Sequence, residues 1–372
     1  VYVWPYPREP AAFDGSSPSA MTPPLVSKCC GLTVAFVLFQ TSLLASVAVL
    51  FPACFLLLVP AYPARVLFRS VCRYVQECWF AFACSLLRFG LGIELLVHVA
   101  ARAGGLAGLR NRCAGRDVIL IANHRTRIDW MFLWGLCLIL GRLGSMKIVL
   151  KDSLKTVPGF GWAMQCFGFV FLSRSNRDRD LAELRGSVTY HCREPGPGLT
   201  LILFPEGTDL SEENLAKSQS FAREKGWPVY QEVLHPKTTG FCAAVSAAGP
   251  AGVVLDATIG YVEHQPGERP SEGALFTGRP PRQVHIRLDA PLEFANSTDT
   301  TPDKLAEVCR ALFTEKEQRL ARFSAPTRLS SNLPEVAALS EESDVVALES
   351  APGAGCCLAA GVVAFVAALS EE

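Results

Sequence analysis

Residues 117–140 read DVILIANHRTRIDWMFLWGLCLIL. DVILIAN (117–123) is a short, nearly continuous apolar run, the mark of a strand buried on both faces. IDWMFLWGLCLIL (128–140), apolar on almost every side, reads as a buried helix. A buried strand feeding a buried helix through a short polar turn is the unit of an α/β domain. The alternation continues downstream. GFVFLS (168–173), LTLILF (199–204) and VVLDATIGY (253–261) read as further strands, and QVHIRLDA (283–290) alternates as a half-exposed strand should. LAEVCRALFTEKEQRLARF (305–323) has apolar residues at 305, 308, 312, 320 and 323 with charge between them, an amphipathic helix closing the domain. The folded unit is expected over 65–324, without internal repeats.

Upstream of that unit, Cys29–Ala64 holds no charged residue. Crossing ~30 Å of hydrocarbon takes about 20 apolar residues, so the run exceeds one crossing, and Pro52 and Pro60 interrupt it. Two forms fit the segment 25–64: one tilted span ending near Pro52, or a helical hairpin that enters and returns. A cleaved signal peptide has an apolar core of only ~7–15 residues, so a retained anchor is expected. Lys28 precedes the run and Arg65, Arg69, Arg73 and Arg88 follow it, which favours a cytosolic position for the rest. Residues 1–24 are proline-rich and read as a disordered extension, with Met21 as the expected natural start. Towards the other end, 325–350 turns Ser-, Ala- and Glu-rich and reads as a linker. The tail at 351–372 contains CCLAAGVVAFVAAL (356–369), short for a span and equally suited to an interfacial or buried helix.

Half of the 372 residues are hydrophobic and 19% are charged, which excludes intrinsic disorder and points to a membrane or an unusually large core. Thirty-five Lys+Arg against thirty-five Asp+Glu argue against a protein built around nucleic acid. The 14 cysteines sit mostly inside apolar runs and form no C-x-x-C pair. They read as small hydrophobes without zinc-ligand spacing, and no metal is expected. Cys29-Cys30 and Cys356-Cys357 border or sit in apolar segments, where S-palmitoylation is the alternative reading.

Three strand ends carry chemistry. Asn123-His124-Arg125-Thr126-Arg127-Ile128-Asp129 follows the first strand. Its histidine and aspartate straddle a strand-to-helix turn, so the carboxylate can hold one imidazole nitrogen protonated and leave the other free to take a proton from an alcohol. A structural histidine is the plainer reading of that stretch alone. Gly168-Phe169-Val170-Phe171-Leu172-Ser173-Arg174 ends in an arginine able to clamp phosphate through its planar fork, or to sit on the surface. Phe204-Pro205-Glu206-Gly207-Thr208 puts a carboxylate, a glycine and a hydroxyl where open α/β sheets present ligand groups, or makes a simple proline-glycine turn.

Taken in order, N-H-x4-D, G-x-x-F-x-x-R and F-P-E-G-T resemble the glycerolipid acyltransferase superfamily, whose members move an acyl group from acyl-CoA to a hydroxyl of a glycerol-phosphate lipid. The likeness runs from about Met21 to Phe323. NHRTRIDWMFLW (123–134), VPGFGWAMQ (157–165), LILFPEGTDLSEEN (201–214) and VLHPKTTGF (233–241) look like its lysocardiolipin acyltransferase-like branch. Asp209 stands where several related lysophosphatidic acid acyltransferases have arginine, which favours that branch.

The resemblance implies a central, mostly parallel sheet flanked by helices, preceded by an N-terminal membrane helix or helical hairpin. It implies phospholipid biosynthesis at the endoplasmic reticulum membrane, with the catalytic domain cytosolic and the lipid bilayer, acyl-CoA and a lysophospholipid as partners. The acceptor would be lysocardiolipin-like, or a related lysophosphatidylglycerol or lysophosphatidylinositol. His124 would be the general base and Asp129 its orienting group, with no acyl-enzyme, no cysteine nucleophile, and acyl-CoA as co-substrate rather than a cofactor. Arg174 would bind phosphate, and Glu206, Gly207, Thr208 and Gly168 would bind the substrate. Asn123 either orients the turn or donates to the developing oxyanion, and Arg125 and Arg127 either meet phosphate or serve the structure. Two other readings stand beside this one: a lysophosphatidic acid acyltransferase making phosphatidic acid, and a non-catalytic membrane scaffold.

Between Arg102 and Arg185 fourteen Lys/Arg stand against six Asp/Glu. Such a basic surplus suits a phosphorylated headgroup, coenzyme A or an anionic membrane, or is merely a solvated face. Trp130, Trp134, Phe160 and Trp162 lie within it and suit either the core or a membrane-interface belt.

Overall fold

The five strand-like runs are all strands. In the computed structural model, which describes residues 24–262, 271–277, 279–294, 300–329 and 343–348, the strands are β1 (Glu94–Ala100), β2 (Val118–Ala122), β3 (Met146–Lys151), β4 (Val170–Leu172), β5 (Thr200–Leu203), β6 (Val253–Tyr261), β7 (Gln283–Leu288), β8 (Leu292–Glu293) and β9 (Ser343–Ala347). Among the described residues they form one sheet in the order β4-β3-β5-β2-β6-β7-β1-β9, with β8 beside β6. From β4 to β6 every neighbour is parallel; β7 turns antiparallel to β6, and β1 runs parallel to β7. The sheet is mixed and mostly parallel, as expected. Met21, nearly all of the 1–24 extension and the 351–372 tail with its cysteine doublet lie outside the described residues.

The helices are α1 (Pro24–Ala45), α2 (Phe51–Cys54), α3 (Tyr62–Ser85), α4 (Gly105–Cys113), α5 (Asp129–Ile139), α6 (Phe160–Cys166), α7 (Arg177–Cys192), α8 (Glu212–Lys225), α9 (Thr238–Ala248), α10 (Glu272–Phe276) and α11 (Pro302–Leu329). Successive side chains of a strand point to opposite faces, and this sorts the core into two layers. Val118, Leu120 and Ala122 of β2 pack with Phe80 of α3 and Leu133 and Leu136 of α5. Ile119 and Ile121 face Leu184 of α7, Phe241 of α9 and Phe313 of α11. With both faces covered, β2 needs the unbroken apolar run that it has. Trp134 belongs to this core, packed edge-on against Phe80 and Trp79, whereas Trp162 on α6 is exposed.

The apolar N-terminal segment is a single helical arm that runs past Pro52, and the return expected within 25–64 falls to α3, which begins only at Tyr62. Helix continues from α1 through a π-helical turn at Ser46–Leu50 and α2 to a 3-10 turn ending at Leu58. Pro52 lacks the N–H for an α-helical bond, and the wider turn just before it lets the helix pass instead of ending there. Pro60 does end it, because a residue before proline avoids the helical region and Val59 is extended. The chain then returns in α3, where Trp79 Nε1 donates to Thr41 Oγ1 at 3.2 Å. Ser27–Leu58 is long and apolar enough to cross a bilayer, whereas the returning α3 carries Arg65, Arg69 and Arg73. Val34, Leu38, Ser42, Ser46 and Leu50, four residues apart, form the face of the first arm that packs on the domain. Phe36, Leu44, Val47, Phe51 and Phe55 are left exposed.

Two expectations need correction. The supposed linker at 325–350 carries the end of α11 and then β9, which pairs antiparallel with β1 and covers that otherwise open edge. The other concerns β7, expected to be half-exposed: it lies between β6 and β1, so alternation gives way to burial of Val284, His285, Ile286 and Leu288. There His285 Nδ1 sits 2.8 Å from His98 Nε2 in a stacked, buried pair. Burial pushes His98 down to about 4 and His285 to about 3. The unfolded chain, with histidines near ~6.5, takes up these protons first, so stability is full above that pH and is lost as pH falls towards 4. Urea titrations should show the unfolding free energy dropping by up to about 1.4 kcal/mol per pH unit for each histidine across that window. A His98→Leu, His285→Leu double variant should lose this part of the pH dependence.

Candidate active site

The C-terminal ends of β2 and β5, neighbours in the sheet, carry the two turns read from the sequence. His124 N–H donates to Glu206 Oε1 at 2.9 Å, and Leu210 N–H returns a bond to His124 O at 2.8 Å. The His124 ring stacks on Phe204, centroids 4.3 Å apart. The two turns are thus one structure, fixed by backbone bonds and a ring stack.

Asp129 begins α5 and turns back to the histidine. Its Oδ2 accepts from His124 Nδ1 at 3.0 Å and from Thr126 N–H at 2.8 Å. Oδ1 accepts from Thr126 Oγ1 at 3.0 Å and from the Tyr261 hydroxyl at the end of β6. With four donors the carboxylate has no freedom left; it is 0% exposed, against 19% for the imidazole. Among the described residues, none bonds His124 Nε2. Burial disfavours a charged ring here, but the Asp129 carboxylate, helped by Glu206 and Asp209, outweighs it and holds the imidazole above the ordinary histidine range. A ring with Nδ1 fixed and Nε2 free can accept a proton from a hydroxyl.

Glu206, expected at the acceptor, is turned into the protein. It is 2% exposed, and its second oxygen accepts Leu234 N–H at 3.2 Å. Burial pushes its carboxyl up to about 7, against the pull of those backbone donors and of the imidazole. It therefore ties the β2 turn, the β5 turn and the loop ahead of α9 together. Gly207, at φ +74°, lets the chain turn over this carboxyl. Thr208 Oγ1 accepts from Asn214 Nδ2 at 3.0 Å at the start of α8.

Arg174 reaches the same turn from beyond β4. Its Nη1 donates to Gly207 O at 3.2 Å, so the exposed guanidinium lies over the glutamate-glycine turn. Among the described non-glycine residues it alone has a positive φ, +61°. Left-handed backbone of this kind costs about 1–3 kcal/mol and persists where neighbours over-determine it. Asp180 is that neighbour, accepting Arg174 N–H at 2.7 Å and Ser173 N–H at 2.9 Å. Lys237 escaped the sequence reading. Its N–H donates to Pro205 O at 2.7 Å, and its Nζ lies 3.4 Å from where a Cβ on Gly207 would stand. The VLHPKTTGF stretch was a visible signal, but nothing local indicated that this lysine returns to the β5 turn.

Other expected site residues lie elsewhere. Asn123 uses both side-chain ends on the backbone of Ile259, donating at 3.0 Å and accepting at 2.8 Å, and so orients the turn. Gly168 precedes β4, at the other end of the strand from Arg174. It is glycine because φ is +74° and a Cβ would come within 2.8 Å of the His191 ring. Arg125 is buried beside Glu232 at 3.5 Å, while Arg127 is exposed. Nor is the basic surplus a single face. Arg142 is buried on the carbonyls of Cys113, Arg116 and Leu199, Arg102 pairs with Asp289, and Arg112 and Arg116 pair with Glu293.

Residues 106–259, which hold all three motifs, match the family model described as Acyltransferase. Lysocardiolipin acyltransferase 1 of Gallus gallus is 35% identical over 297 residues, covering 79% of this chain and 73% of that protein. Its counterpart in Danio rerio is 36% identical over 274 residues, covering 72% of this chain and 66% of the relative. The 1-acyl-sn-glycerol-3-phosphate acyltransferase 2 of Brassica oleracea is 30% identical over 276 residues, covering 73% of this chain and 66% of that one.

Proposed function

The chain belongs to the glycerolipid acyltransferase superfamily, in its lysocardiolipin acyltransferase-like branch, and from that premise we propose that it transfers an acyl group from acyl-CoA to the free hydroxyl of an anionic lysophospholipid. The observation that carries the reading is the His124 imidazole, tied through Nδ1 to a buried Asp129 with its other nitrogen unbonded.

His124 Nε2 takes the proton of the acceptor hydroxyl as its oxygen attacks the thioester carbonyl. The tetrahedral centre then collapses, the C–S bond breaks, and the imidazolium returns the proton to the leaving thiolate of coenzyme A. Asp129 holds the tautomer and offsets the charge that develops on the ring. General-base help of this kind is worth about 10²–10⁴-fold, and holding both substrates together adds several kcal/mol. Arg174 and Lys237, which both reach Gly207, bind acceptor phosphate. Glu206 acts through the turn it holds, as a positioning residue, and Thr208 stands at the edge of the headgroup site.

An acceptor of the lysocardiolipin kind bears two phosphates and suits two cations. Lys237→Gln should raise KM for such an acceptor about tenfold, the equivalent of ~1.4 kcal/mol, with a smaller change for lysophosphatidate. Equal KM values in native and variant protein would remove Lys237 from the site. The exposed apolar side of the α1–α2 arm supports a seat in the bilayer, at the endoplasmic reticulum membrane with the sheet on the cytosolic side. Transfer of radiolabelled acyl groups from acyl-CoA to a panel of lysophospholipids in membranes tests the whole reading. Exclusive use of lysophosphatidate would favour the activity named for the Brassica relative.

A further inference from the structure

A polar cavity lies by the start of β3, at the opposite end of the parallel strands from the His124 turn. About 260 Å³ of open space lies between α3, the start of β3 and the end of α7, lined among others by Arg69, Arg73, Gln76, Lys147, His191 and Glu194. None of these residues touches the site described above.

The charge in this cavity is unbalanced. Glu194 accepts from Arg69 Nε at 3.1 Å and from His191 Nδ1 at 3.2 Å, so the one carboxylate lining the space already serves two partners. Lys147 is 8% exposed and has one hydrogen bond, Nζ to Gln76 Oε1 at 3.1 Å. That amide is itself fixed, because Nε2 donates to Leu143 O and Met146 O at 2.8 Å each. Two of the three ammonium donors have no acceptor. Arg73 reaches only the Pro195 carbonyl, at 3.3 Å, and among the described residues no carboxylate forms an ion pair with Arg73 or Lys147. Glu194 attracts Lys147 across the cavity without bonding to it, while Arg69 and Arg73 repel it, so the buried cation is poorly balanced. Burial brings the Lys147 ammonium down to about 7, as an unpaired site would.

We infer that this cavity is an anion site, in which Lys147, Arg73 and Arg69 bind a phosphate-class group. Lined by three cations and one carboxylate, it suits the compact negative charge of a single phosphate or headgroup. Two sources carry that chemistry, inorganic phosphate and the phosphoryl headgroup of an anionic lipid. The headgroup is favoured by position: Val66 and Leu67, exposed and apolar, stand within one helical turn of Arg69 on α3.

The test is thermal unfolding of the full chain in neutral detergent. One arm adds inorganic phosphate against chloride at equal ionic strength; the other adds phosphatidic acid to the micelles against phosphatidylcholine. Native protein should gain roughly 5 °C near saturation in at least one arm. A gain with inorganic phosphate identifies a free anion, and a gain only with phosphatidic acid identifies a headgroup; either supports the site. Lys147→Met should be as stable as native or more so without ligand, because the buried charge is gone, and should lose the gain. Arg73→Gln, at the half-buried rim, should lose most of it and decides the matter if Lys147→Met folds poorly. No gain in either arm, or the same gain in native protein and both variants, overturns the inference. Failure of acyl transfer would leave it untouched.

Discussion

His124→Ala is expected to lower kcat for acyl transfer about 10²–10⁴-fold, the usual worth of a positioned general base. KM for both substrates should change little, because Arg174 and Lys237 are anchored independently of the imidazole: one by Asp180, the other through Pro205 O. The fold should hold as well. Asp129 loses one donor of four and keeps Thr126 and Tyr261, and the vacated ring was partly exposed. Steady-state rates with a saturating acceptor, set beside the melting temperature, separate lost chemistry from lost structure. A variant that keeps native kcat would remove His124 from the reaction.

Glu206→Ala should damage both quantities. Removing the carboxyl leaves His124 N–H and Leu234 N–H buried without acceptors, at about 1–3 kcal/mol each. The lost bonds are those that hold the His124 turn against the β5 turn, so kcat should fall with stability, on the order of 10²-fold for a displacement near 1 Å. Glu206→Gln keeps one acceptor and turns an amide N–H towards a backbone N–H, so it should fall between. Were Glu206 a direct acceptor ligand instead, Glu206→Gln would raise KM at native melting temperature. Calorimetry and acceptor titrations on the same preparations distinguish the two.

Much of this architecture was legible in the chain, and the exceptions have causes. β2, β5 and β6 announce themselves because strands buried on both faces must be apolar throughout. The His124–Asp129 contact was legible because five residues across a strand-to-helix turn leave few other ways to arrange the pair. β1, β3 and β9 were not. ELLVHVA and MKIVLK bury a histidine and a lysine that a pattern reading counts as surface, and SDVVA becomes a strand only because β1 offers it an open edge. The same blindness to tertiary partners left Arg125 open between phosphate and structure, because its burial depends on Glu232, 107 positions further along the chain. It also hid the bonds of Glu206, because backbone amides as far away as Leu234 cannot be read from FPEGT. Pro52 misled in the opposite sense: a residue that normally breaks helices is accommodated by a π-helical turn.

The pH dependence of kcat/KM in native protein and in Asp129→Asn reaches the centre of the account. In native protein the acid limb, which reports protonation of the base, should lie above the ~6.5 of an ordinary histidine. Without that carboxylate, burial is opposed only by Glu206 and Asp209, so in Asp129→Asn the limb should move to lower pH while the plateau drops about 10²–10⁴-fold. An acid limb at the same pH in both proteins would contradict an imidazole held and made basic by Asp129.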